Sequence, residues 1–101
     1  MKTLFICNQN QHRSKTAEKL FKGRFETKSA GLYTDKPVTG QELRWADTVV
    51  VMEDVQRSEL AKRFPQEYMK KRIISLDIPD VYNYNDPVLV SLLKSKVDFL
   101  V

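Results

Sequence analysis

At 101 residues, with hydrophobic residues at 42% and charged residues at 30%, the chain is sized and composed for one globular domain, residues 1–101, with a modest core. Its single cysteine excludes an intramolecular disulfide and fits a reducing, cytoplasmic setting, and one cysteine with one histidine argues against a protein-built metal site. The formal net charge of +4 favours anionic partners by steering, but no nucleic-acid motif accompanies it, and no apolar run is long enough for a secretory segment or a membrane span.

Leu4, Phe5 and Ile6 predict a short buried strand that ends at Cys7. Asn8, Gln9, Asn10, Gln11 and His12 form a polar turn. Arg13 and Ser14 open a helix with Ala17, Leu20 and Phe21 on one face, and Lys22-Gly23 closes it, with glycine suited to the position just past the end. Phe25 to Ala30 reads as a second strand that Gly31 breaks, followed by loop to Val38. Thr39-Gly40-Gln41-Glu42 has capping-box spacing and starts a short helix to about Ala46. Thr48 to Met52, with three consecutive valines, is a strand whose continuous apolar character implies burial on both faces.

Glu53-Asp54 cap a helix from Val55 to about Phe64, which buries Leu60, Ala61 and Phe64 and which Pro65 stops. Gln66 to Lys71 leaves room for one helical turn. Arg72 to Leu76 is a fourth strand, and Asp77 to Asn85 a loop. Asp86-Pro87 is a strong helix start, and the helix after it aligns Leu89, Leu92, Leu93, Val97 and Leu100. Strict alternation of strand and helix argues a three-layer α/β fold: a four-stranded parallel sheet in flavodoxin-like order 2-1-3-4, with helices on both faces. In that order the chain reverses between the first and third strands, and ligands bind at such a point beyond the strands' carboxyl ends. The turn from Cys7 to Ser14 falls there.

That turn has its own chemistry. A helix start offers unpaired N–H groups and the positive end of the helix dipole to an anion, and a turn with inward amides adds donors. Such a field favours a thiolate, the form of cysteine that attacks. The guanidinium of Arg13 can hold two oxygens of one phosphate, and Ser14 can donate to the sulfur. Alone, a cysteine at a strand end reads as a small buried hydrophobe, and an arginine in a first helical turn as a solvated charge. Both together across a strand-to-helix turn read as a phosphate site.

Cys7, five intervening residues, then Arg13 and Ser14 match the Cys-x5-Arg-Ser/Thr signature of protein tyrosine phosphatases. Its place after the first strand resembles the low-molecular-weight family of these enzymes. Asn10 sits where that family's loop asparagine sits. Ser29-Ala30-Gly31 resembles the segment after its second strand, Ala46 to Met52 its third strand, and Asp80-Val81-Tyr82 the Asp-Pro-Tyr of its general-acid loop. The resemblance covers most of the chain. It implies the fold given above, no cofactor, and two-step hydrolysis through a phosphocysteine. Cys7 is the implied nucleophile and Asp80 the implied general acid. Residues 8–12 with Arg13 and Ser14 bind phosphate. Tyr82 and Tyr84 wall the substrate pocket, or simply pack.

The departures are specific. Gln9 stands where the family has glycine. Either it adopts a left-handed backbone, at about 1 kcal/mol or more, or the loop differs. His12 replaces a second loop cysteine, which leaves Cys7 without a partner for reversible disulfide protection. Val81 replaces a proline, and the stretch between the third and fourth strands is shortened. Asp86 is also a natural helix cap, and Asp77 lies nearest the strand, so both stand beside Asp80 as candidate acids. Tyr33 is a further pocket candidate, Trp45 reads as helix packing, and His12 as either a loop-shaping hydrogen bond or an idle ring. The expected activity is hydrolysis of phosphotyrosine or other aryl phosphates, on a phosphorylated protein or a small ester. The alternative is a non-catalytic phosphate- or phosphoprotein-binding module on the same fold. Arsenate reductases share the fold and loop but need further cysteines, which this sequence lacks.

Overall fold

The computed structural model describes residues 1–100, with side chains through Asp98, so the expected placement of Leu100's side chain lies outside the described residues. The elements follow in the order β1 (Lys2–Cys7), α1 (Arg13–Phe21), β2 (Glu26–Gly31), α2 (Gly40–Trp45), β3 (Thr48–Val51), α3 (Asp54–Arg63), α4 (Pro65–Lys70), β4 (Arg72–Ser75) and α5 (Pro87–Leu100). The strands form one parallel sheet in the order β2-β1-β3-β4. The register sets Cys7 opposite Gly31 and Leu4 opposite Val49.

Alternation along the central strands divides the core in two. Phe5 and Cys7 of β1, with Val50 of β3 and Met52 just after it, face Ala17 and Phe21 of α1 and Leu89, Leu93 and Val97 of α5. Leu4 and Ile6, with Val49 and Val51, face Leu43 of α2 and Leu60 of α3. Every residue of β3 is buried, as its unbroken apolar run implies. Burying a side chain such as Phe5 fully is worth about 1.5–3 kcal/mol, so the two central strands hold the layers together.

Several local readings change. Gly23 follows α1 but does not take a positive φ; Arg24 and Phe25 amides instead donate to Phe21 O, so the helix ends in tight turns that need no glycine. Gly31 does not break β2 but is its last residue. Pro65 ends α3 and is also the first residue of α4, where its missing N–H is harmless. β4 ends at Ser75, one residue early. Ala61 and Phe64 are half-buried rather than buried. The Thr39–Glu42 capping box forms as its spacing requires. No helix among the described residues is long and apolar enough to cross a membrane.

Candidate active site

β1 delivers Cys7 to the carboxyl edge of the sheet, only 3% exposed. In the turn that follows, Asn10 adopts φ 53°, a left-handed conformation that asparagine tolerates better than most side-chained residues. Its N–H donates to Cys7 Sγ at 3.2 Å. Ser14 Oγ shares a hydrogen bond with the same sulfur at 3.0 Å, and its hydroxyl lies 2.7 Å from Asn10 Oδ1 as donor. The left-handed residue of this turn is therefore Asn10 and not Gln9, and the strain weighed for Gln9 does not arise. α1 starts with no side-chain cap bond from His12, which leaves first-turn amides to an anion.

Arg13 is 1% exposed, and a guanidinium so placed must be paired. Its Nη1 donates to Glu53 Oε1 and, at 2.8 Å, to Ile78 O, while its Nε lies 3.7 Å from Asp80 Oδ1. Glu53 is itself fixed from behind. Gln56 Oε1 accepts from the Met52 and Glu53 amides at 2.8 and 3.1 Å, and Gln56 Nε2 donates to Asn8 Oδ1 at 3.1 Å. One buried amide thus ties the β3–α3 turn to the β1–α1 turn. Sequence reasoning saw Glu53 only as a helix cap and passed over Gln56. The signal was present: Glu53 and Gln56 have capping-box spacing at the carboxyl end of the strand beside β1.

A cleft of ≈ 340 Å³ opens over Cys7. The turn contributes Cys7, Gln9, Gln11, His12 and Arg13 to its lining, and the loop after β4 contributes Asp80, Val81, Tyr82 and Asn83. Asn8, Asn10 and Ser14 lie behind this lining, where Asn8 meets Gln56 and the other two meet the sulfur. Of the three candidate aspartates, Asp80 alone lines the cleft. Asp86 Oδ1 caps α5 by accepting from the Val88 amide at 2.8 Å, and Asp77 is exposed with φ 56°. His12 shapes the loops: its Nδ1 accepts from the Tyr84 amide at 3.0 Å. The Asn85 amide donates to Thr16 Oγ1 at 2.8 Å close by.

The tyrosines separate. Tyr82 is half-buried at the cleft wall. Tyr84 does not line this cleft but a neighbouring groove, with Lys19 Nζ 5.7 Å from its ring centroid. The main chain after Asn83 carries it past the rim, which alternation-blind reading of a loop does not foresee. Tyr33 is exposed beneath the Arg63 guanidinium and does not line the cleft, and Trp45 packs partly against the α2–α3 face of the core. Gly31 has a packing role: a Cβ there would lie 2.5 Å from Thr34 Cγ2, 3.0 Å from Asn8 O and 3.1 Å from Gln9 C. Only glycine lets β2 end this close to the turn.

No protein-family model and no curated protein matches the chain. Solved structures do. A low-molecular-weight phosphotyrosine phosphatase from Vibrio cholerae O395 superposes with TM-score 0.81 at 18% identity, covering 99% of this chain and 94% of that one. The tyrosine phosphatase Wzb from Escherichia coli K30, in complex with phosphate, gives 0.80 at 19% identity over 98% and 94%. The YwlE arginine phosphatase from Geobacillus stearothermophilus gives 0.68 at 19% identity over 98% and 84%. The chain therefore has the α/β fold of the low-molecular-weight phosphatases from end to end.

Proposed function

We propose that the protein is a phosphatase that hydrolyses phosphotyrosine or other aryl phosphate monoesters through a phosphocysteine on Cys7. The observation that carries this reading is the sulfur itself: it sits at the floor of the cleft, between the Asn10 amide and the Ser14 hydroxyl, with Arg13 and Asp80 on the same lining. The fold shared with phosphotyrosine phosphatases supports it.

In the first step the Cys7 thiolate attacks phosphorus, the bond to the leaving oxygen breaks, and that oxygen takes the proton of the Asp80 carboxyl. In the second, water attacks the phosphocysteine and gives its proton to the Asp80 carboxylate, while the sulfur leaves as thiolate. Orthophosphate is the product. Ser14 serves both states of the sulfur. With a thiol, S–H donates to Ser14 Oγ and the hydroxyl points to Asn10; with a thiolate, the hydroxyl rotates to the sulfur. Arg13 has Nη1 committed to Glu53 and Ile78, which leaves Nε and Nη2 as the fork for the equatorial oxygens. A phenolate, with pKa about 10, leaves far more readily than an alkoxide, which favours aryl esters in a site with one acid.

Turnover of p-nitrophenyl phosphate by the purified protein tests the proposal. Cys7→Ser is expected to abolish it, and rapid quench of the native protein to trap phosphate on Cys7. Retained turnover in the variant refutes the mechanism. Phosphate affinity without any turnover in the native protein identifies a binding module instead.

A further inference from the structure

We propose that the groove beside the cleft recognises acidic side chains flanking the phosphorylated residue of a polypeptide substrate, an inference that rests on the phosphatase reading above. The groove has a volume of ≈ 370 Å³ and is lined by Lys15, Glu18, Lys19, Lys22, Thr27 and Tyr84. Lys15, Lys19 and Lys22 are spaced to share one face of α1 and its C-terminal turn, and all three are exposed. Among the described residues none of them forms an ion pair. Arg24, Arg44, Arg57 and Arg63 each hold a carboxylate at 3.1 Å or less, whereas exposed Arg72 forms no ion pair among the described residues. Glu18, the one acid in the groove, is drawn to Ser29 Oγ at 2.8 Å.

Three like charges thus share the groove with a single carboxylate, and like charges one helical turn apart repel. An anion laid along the groove relieves that repulsion. The groove also continues the cleft. Asn83 lines one and Tyr84 the other, and the Tyr84 amide is bonded to His12 on the cleft wall. A polypeptide with its phosphorylated side chain in the cleft therefore carries neighbouring residues across the lysines, and charge complementarity selects carboxylates there.

The test measures binding of phosphonate analogues of a phosphotyrosine peptide to the native protein by calorimetry, so that it needs no turnover. One peptide carries three glutamates next to the phosphonate and its control three glutamines, each placed before and after that residue. The glutamate peptide is expected to bind roughly tenfold more tightly in one of the two orders, as three weak exposed pairs add. The advantage shrinks with added salt and vanishes in the K15Q/K19Q/K22Q variant, whose affinity for the glutamine peptide is unchanged. Equal affinities in both orders, no binding of either peptide, or an advantage that survives the triple substitution overturns the proposal. Turnover of p-nitrophenyl phosphate is followed in parallel: its absence defeats the phosphatase reading but leaves the difference between the peptides measurable.

Discussion

The β1–α1 turn and the 77–85 loop face each other across one cleft, and they are held in opposite ways. The turn is braced from behind. Asn8 is bonded to Gln56, Asn10 and Ser14 to the sulfur, and Arg13 to Glu53, and most of these partners are buried or partly buried. The loop is fastened near its ends, at Ile78 O by Arg13 and at the Tyr84 and Asn85 amides by His12 and Thr16. Between these points Asp80 and Val81 are exposed. In the proposed reaction, a nucleophile and an anion cradle gain from being fixed before the substrate arrives. The proposed acid, which must serve a leaving group and then a water, gains from a span fastened only near its ends.

This contrast can be broken at its strongest point first. Gln56→Leu leaves the Met52 and Glu53 amides and Asn8 Oδ1 without their partner, so a loss of roughly 2–4 kcal/mol is expected in urea unfolding, together with most of the turnover. Glu53→Gln keeps an acceptor for Arg13 but removes the charge. It should lower kcat by about 10–100-fold with little change in the urea midpoint, if Glu53 orients Arg13 for the charge stabilisation proposed above. A midpoint that falls as far as in Gln56→Leu would mean that the pair is structural only.

Asp80→Asn tests the other side. It should slow esters of poor leaving groups by roughly 10²-fold and those of good leaving groups far less, in a leaving-group series. An equal loss across the series would assign the acid elsewhere. The smallest effect is expected at His12→Ala, which releases one fastening of the loop: a few-fold change in kcat, with faster amide exchange over 82–85 as the direct readout. Unchanged exchange would show that the Tyr84–His12 bond does not hold the loop.

The sheet order was legible because strict strand–helix alternation with right-handed crossovers leaves few arrangements, and the two-faced core because periodicity reports on neighbours close in sequence. The cluster of Cys7, Arg13 and Ser14 was legible for the same reason: all three belong to one turn. What the sequence hid depends on contacts across the fold. Gln56 reaches Asn8 from a different crossover, so its spacing announced a helix cap and nothing more. Tyr84 stood two residues from Tyr82 and was grouped with it, yet a bond to His12 turns the chain between them toward another groove. Gln9 drew attention by standing in place of glycine, while the left-handed conformation fell on Asn10, the residue type in the turn most at home there.

Gly31 shows how far such long-range dependence goes. It does not itself line the cleft, yet its bare Cα fixes the clearance between the end of β2 and the backbone of Asn8 and Gln9. A methyl group there would push the turn by tenths of an ångström, and in the proposed reaction the sulfur's in-line approach to phosphorus would tilt with it. Under the proposed mechanism, the aim of the nucleophile is thus set in part by a neighbouring strand that does not line the cleft.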